Sequence, residues 1–432
     1  MSVLINNLAN RIEKFSLNMQ SGNVVDSIVN DLLLNPVVAA SIFRYSYSWI
    51  DYGTHVNIEF SVKYKSESKC SVFLVRNYSD LEMAVSLMLR FHMSAVSIVC
   101  DNRKGFFPIE VNAFSALFTK LLESVGEEFQ TSQYKNWNGF FSSMFENEML
   151  IFEITFEYFD SSPKDVNDLL CVIAEDAIEI RKKCNNNIFL MLAEILYYFR
   201  RHFKYKNNGK TSDHSVVGMY KNRTGVCQAI SVYAYLFFQF LGIKGRYVLG
   251  EANGIGGWES HAWNQVFMGG RWVHIDYTWQ LNKQESFKIV SENELRKDHH
   301  WNEEQYAAPQ SNFVVNSKYR LRHSTTRFYP KKPYFAINNC ILDMSNIHMT
   351  SVVRNGTLYV LIDIIIIYGG CYKLAGNQIA IFIGVSKYSF PLEKVLIRNN
   401  AWYLPTVMLS KIGLKVEVDE KGAIIISNRN YY

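Results

Sequence analysis

The sequence predicts an α+β protein of several compact units: an α/β N-terminal region, a core of helix packed on antiparallel sheet, and a small repeated α/β module at the C-terminus. Three observations predict it. The 432 residues exceed the ~100–200 that one domain usually holds. Segments whose apolar residues recur every second position alternate with segments of helical period, the mark of mixed strands and helices. A short motif also returns near the C-terminus after 44 residues. Hydrophobic residues at 48% against 20% charged rule out a disordered or low-complexity chain.

The elements follow in order. His55–Tyr64 and Met149–Tyr158 alternate apolar and polar side chains, as half-buried strands do, and each ends in a tyrosine before a polar loop. Ser71–Val75 and residues 95–100 read as strands flanking a helix over 79–91, and 166–182 reads as a helix after the second alternating strand. The similarity hints at two related α/β units within residues 1–185. Residues 187–203 are apolar at helical spacing and turn basic at the end, which suits a helix C-terminus and its dipole.

The chemistry concentrates in residues 186–328, the expected core. Ile230, Tyr233, Phe237 and Leu241 fall on one helical face, with Thr224 as a candidate N-cap and Gly242 as the stop. Cys227 then lies in the first turn, where unpaired backbone N–H groups and the positive end of the dipole favour a thiolate and can hold an oxyanion. A structural cysteine on a buried helix is the alternative. Residues 260–268 and 271–279 alternate as strands around Gly269-Gly270, a two-residue hairpin turn. With Met268 opposite Arg271, Trp263 faces Asp276, and His261 and Asp276 form a diagonal pair on one face, within reach of a hydrogen bond. A carboxylate orienting an imidazole is what a Cys–His pair needs to act as nucleophile and base. His274 shares that face and competes for the role of base.

Three stretches, HSVVGMYKNRTGVCQ ending at Gln228, SHAWN from Ser260 and WVHIDYTW from Trp272, resemble in order the motifs of the bacterial transglutaminase-like superfamily. The resemblance covers about residues 185–310 and implies a papain-like fold with Cys227 as nucleophile, His261 as base and Asp276 as orienting acid. It assigns His274 to a second, non-triad histidine and leaves His299, His300 and Trp301 as structural. Gln228-Ala229-Ile230 and Ser260 depart from the family's usual residues, without removing a catalytic group. The implied reaction is acyl transfer or hydrolysis of a protein or peptide amide through a Cys thioester. The alternative is a non-catalytic binding or scaffold protein of the same fold.

Behind a Pro- and Lys-bearing stretch, residues 329–333, the motif at Arg354-Asn355 recurs at Arg398-Asn399. Each copy runs on into an apolar helical stretch, a glycine and an Ile-rich strand, so residues 337–432 are expected to form two strand–helix–strand units. They resemble the stalk-like domain named after the N-terminus of copper amine oxidases, which implies a spacing or binding role and no copper. The seven dispersed cysteines show neither a disulfide framework nor zinc-ligand spacing, so no metal and no cofactor are expected. A net charge of +5 is too small a bias to point to nucleic acid. The expected partner is a protein or peptide substrate, a cell-envelope peptide among the candidates. The first residues lack a basic segment followed by an apolar run, which reads as cytoplasmic, whereas the stalk resemblance reads as cell-surface. The apolar stretch at 358–368 is too short to span a membrane.

Overall fold

The computed structural model describes residues 12–20, 42–64, 71–126, 134–144, 148–159, 162–254, 256–282, 286–302, 325–328, 334–337, 340–343, 351–398, 401–420 and 423–428. Cys70, the stretch 329–333 and the first residues of the chain lie outside them. The protein is mixed α+β, as its hydrophobic periods predict.

The core segment is helical on one side and sheet on the other. Helices Pro163–Lys183, Ile188–His202 and Val216–Asn222 surround Cys227–Leu241. Behind them, four antiparallel strands run in the order Arg271–Ile275, Gly257–Met268, Gly245–Gly254 and His299–His300. Cys227–Leu241 is apolar nearly all round, and it is the buried central helix of this unit. Gly242, at φ +74°, ends it in the left-handed conformation. Gly269 and Gly270 both take positive φ, +60° and +79°, as the tight hairpin requires, and set Met268 opposite Arg271.

The flanking regions share one larger sheet. Its nine strands run in the order Leu414–Val418, Ile424–Asn428, Thr326–Phe328, Tyr334–Ile337, Cys340–Asp343, Ser71–Val75, Ala95–Asp101, Met149–Tyr158 and Tyr134–Met144. Helices Tyr78–Arg90 and Val111–Gly126 belong to the same unit. The other alternating strand, His55–Tyr64, sits in a separate three-stranded sheet with Lys14–Gln20 and Ile42–Asp51, so the two strands that hint at related units lie in different sheets.

The C-terminal repeat is visible as a pseudo-two-fold. Each copy is a hairpin, Ser351–Arg354 with Thr357–Leu361 and Leu396–Arg398 with Ala401–Pro405, followed by a short helix and then by three strands in the first copy and two in the second. Where the two hairpins meet, Val360 pairs with Leu404, its own equivalent 44 residues on, which places the local axis at that pair. The second unit is thus hairpin–helix–hairpin and the first adds one more strand, both richer in strand than the strand–helix–strand expectation. Apolar Ile364–Ile367 forms the first copy's short helix and is buried in the core shared with the nine-stranded sheet.

One face of the sheet formed by Gly370–Ala375, Gln378–Ile383 and Ser386–Pro391 packs on the core segment through Cys371, Ala380 and Phe382. Asn167, Cys171 and Glu175, spaced four apart on helix Pro163–Lys183, meet it in register. The Asn167 amide donates to the Tyr372 carbonyl at 2.7 Å and accepts from the Tyr372 N–H at 3.3 Å. Cys171 hydrogen-bonds Cys371, and Glu175 pairs with Lys373 at 2.6 Å and Lys387 at 3.3 Å. Deleting residues from Ile337 onward is therefore expected to bare the edge of Ser71–Val75 and the face of this helix. Size-exclusion chromatography should then find aggregate; a monodisperse, folded truncation would contradict this packing.

Candidate active site

The nucleophile candidate is set by the start of its helix. Thr224 does not cap it: Thr224–Gly225 pairs as a short strand with Lys204–Tyr205, which carries the chain past before the helix begins. The capping position falls to Val226, whose backbone N–H donates to the Asp213 carbonyl at 3.1 Å and whose side chain makes no cap bond. Cys227 is consequently the first helical residue, in the turn whose N–H groups have no intrahelical partner. Of the six described cysteines, five are buried and Cys227 is partly open.

The strand of His261 is fastened to this helix one turn on. Ser231 Oγ donates to the Ala262 carbonyl at 2.9 Å, and the Asn264 side-chain amide donates to the Ser231 carbonyl at 2.9 Å. Helix and strand so lie in fixed register, and the His261 ring is hydrogen-bonded to the Cys227 side chain. Its Nε2 donates to Asp276 Oδ2 at 2.9 Å. The three residues predicted from sequence are thereby brought together.

The register differs from the sequence expectation in one respect. Strand pairing ends at Asn264 with Ile275, and Tyr277–Asn282 is helical. Asp276 stands at the join, where its Oδ1 accepts the Trp279 N–H at 3.0 Å, an N-cap role that a strand aspartate would lack. Burial alone would raise its pKa, yet the hydrogen bonds from His261 and His299 hold it down to about 2. For His261, burial opposes the charged ring, but hydrogen bonds to Asp276 and Cys227 and their negative charge raise it to about 10. A carboxylate and an imidazolium are favoured together.

His274 is held by other partners. The Trp263 indole donates to its Nδ1 at 3.0 Å and the Gln265 side-chain amide lies 3.0 Å from its Nε2, so both ring nitrogens are engaged. Burial pushes its pKa down to about 4, leaving it neutral at physiological pH. His299, which the sequence leaves as structural, reaches the site: its Nε2 is 3.3 Å from Asp276 Oδ2. His300 stacks edge-on against Trp258, and Trp301 packs on Trp263. Sequence spacing gives no signal for His299, because its approach comes through a strand paired to Gly245–Gly254.

His261, Asp276 and His299 each offer one atom within 4.8 Å of the others, a spacing that would also admit a small cation. Two hydrogen bonds to one carboxylate oxygen already account for that closeness. Gly250 faces His261 across the sheet, and a Cβ there would run into the His300 carbonyl and come within 2.7 Å of the Trp263 ring. Gly250→Ala is therefore expected to cost about 1–3 kcal/mol of stability by overpacking, read from denaturant unfolding. An unchanged midpoint would refute the close approach.

The Transglutaminase-like superfamily matches residues 177–277, the segment that holds Cys227, His261 and Asp276. Among solved structures, the chain is similar to a TGase at 15% identity and a TM-score of 0.23, over 48% of this chain and 58% of that one. It is also similar to a candidate cysteine protease from Cytophaga hutchinsonii at 14% identity and a TM-score of 0.23, over 40% of this chain and 68% of that one. The chain thus spans little more than half the length of the first. No curated protein matches the sequence. Among the described residues no helix is long and apolar enough to cross a membrane.

Proposed function

We propose that the protein is a cysteine enzyme that transfers or hydrolyses the acyl group of a protein or peptide amide. The observation that carries this reading is the line of hydrogen bonds from Cys227 through His261 to Asp276 at a helix N-terminus. The Cys227 sulfur attacks the amide carbonyl, forming the C–S bond, and the first-turn N–H groups stabilise the oxyanion. As the C–N bond breaks, the imidazolium of His261 gives its Nδ1 proton to the departing amine. The neutral ring then takes a proton from the incoming amine or water, whose attack on the thioester frees the sulfur. Asp276 keeps the imidazole oriented and stabilises its charge in both halves. No metal or cofactor enters this scheme.

Residues 186–328 carry the chemistry in this reading, and residues 1–185 and 337–432 hold and present it. The stalk-like C-terminal repeat acts as a spacer or a binding surface for the substrate, with cell-envelope peptides as the first class to try. The test is direct: the protein is incubated with a glutamine-containing peptide, with and without a small primary amine, and its mass is followed. An acyl adduct on Cys227 that disappears on adding amine supports the reading. No adduct with any peptide amide, in a folded protein, would overturn it.

A further inference from the structure

The buried acid of the site has a second histidine, and that histidine has its own acid. Asp276 Oδ2 takes His261 Nε2 at 2.9 Å and His299 Nε2 at 3.3 Å, while Oδ1 takes the Trp279 N–H. On its far nitrogen, His299 Nδ1 lies 2.6 Å from Asp298 Oδ1. His299 is itself almost fully buried, whereas the Asp298 side chain is 43% exposed, so the chain of bonds runs from solvent to the sulfur. Its order is Asp298, His299, Asp276, His261, Cys227.

Three features fix His299 in place. Its backbone pairs with Ala252, and the neighbouring Asn253 N–H donates to the Asp298 carbonyl at 2.8 Å. Its ring lies between two indoles, with centroids 4.6 Å from Trp279 and 5.0 Å from Trp263. The same two indoles flank His261, at 5.9 and 6.1 Å. Both imidazoles are thus held by shared walls and directed at one oxygen.

We propose that His299, oriented by Asp298, is a positioning residue that fixes the Asp276 carboxylate and through it the aim of His261 at Cys227. The inference rests on the nucleophile–base reading above. The Trp279 N–H holds Oδ1 in either case; at Oδ2, the oxygen that aims His261, His299 supplies a second donor from another direction and so narrows the positions the oxygen can take. Burial works against the charged carboxylate, and each donor removed leaves the ionised form, the one that orients His261, less favoured. The pattern matches the general observation that outer partners of a buried, orienting group set the direction of the group they touch.

The test compares His299→Phe, which keeps the ring packing and removes both nitrogens, with His299→Gln, whose amide returns a donor near the position of Nε2, and Asp298→Asn. Two quantities are read in the full chain: the pH profile of Cys227 alkylation by iodoacetamide, and the downfield proton resonance of the His261–Asp276 hydrogen bond. General-base assistance is worth about 10²–10⁴-fold in full, so misaimed assistance in His299→Phe should appear as roughly a tenfold loss at mildly acidic pH. The downfield proton should broaden or vanish, and His299→Gln should recover most of both. An unchanged profile and an unchanged proton in His299→Phe would overturn the proposal, as would a glutamine variant no better than phenylalanine. Should His299→Phe not fold, equal behaviour of His299→Gln, Asp298→Asn and the parent would overturn it in the same way. The proton signal does not need a reactive thiol. A parent protein without selective alkylation therefore counts against the nucleophile reading, and only an indifferent proton counts against the positioning one.

Discussion

Replacing His261 by alanine is expected to slow acylation of Cys227 by an activated ester about 10²–10⁴-fold, the usual worth of a positioned general acid–base. The side chain lies on the strand Gly257–Met268 and contacts the site through its ring, while the fastening of that strand to the Cys227 helix runs through Ser231, Ala262 and Asn264. The loss should therefore fall on chemistry with the fold retained, and stopped-flow acylation alongside circular dichroism separates the two. His274→Ala supplies the contrast. That ring is neutral and engaged by Trp263 and Gln265, so its removal should cost stability and leave the pH dependence of acylation where it was.

The second large effect is on stability. Asp276→Ala leaves the imidazolium of His261 buried without its carboxylate, and breaking one side of a buried pair costs about 3–5 kcal/mol. The pH dependence has a definite sign. With its folded pKa raised from 6.5 to about 10, His261 contributes stability that is fully present below about pH 6.5 and is lost as pH rises through 10. With its pKa lowered from 3.8 to about 2, Asp276 contributes stability present above about pH 3.8 and lost as pH falls through 2. The difference between the parent and Asp276→Ala in urea unfolding should be largest between those limits and shrink on both sides. A difference independent of pH across that range would show that the two residues do not form an ion pair.

Much of the site is legible because the Gly269-Gly270 turn fixes a register, and the register fixes which side chains share a face. His261 and Asp276 follow from it even though the strand stops at Ile275 and Asp276 caps a short helix instead. Hydrophobic period alone reproduces His55–Tyr64, Ser71–Val75 and Met149–Tyr158, since each buries one or both faces against a core that the side chains themselves declare. Thr224 fails as a cap because a two-residue pairing with Lys204–Tyr205 claims it, a contact between segments twenty residues apart that no local preference encodes. The nine-stranded sheet is hidden for the same reason: Cys340–Asp343 adds to Ser71–Val75 across most of the chain. His299 belongs to this class too, reaching Asp276 through pairing of strands rather than through its own neighbours in sequence.

The central claim is that Cys227 works as a nucleophile coupled to His261, and alkylation across pH tests it most directly. Selectivity alone would not suffice, because among the six described cysteines Cys227 is half-open and the other five are buried, so access alone would favour it over those five. A free thiol titrates near 8.5, so its rate should fall about tenfold per unit below that. The account predicts that iodoacetamide, followed by peptide mass spectrometry, modifies Cys227 at nearly undiminished rate down to about pH 6, and that His261→Ala restores the steep fall of an ordinary thiol. If Cys227 in the parent protein already shows that steep fall, and His261→Ala leaves it unaltered, the pair is not coupled and the account is contradicted.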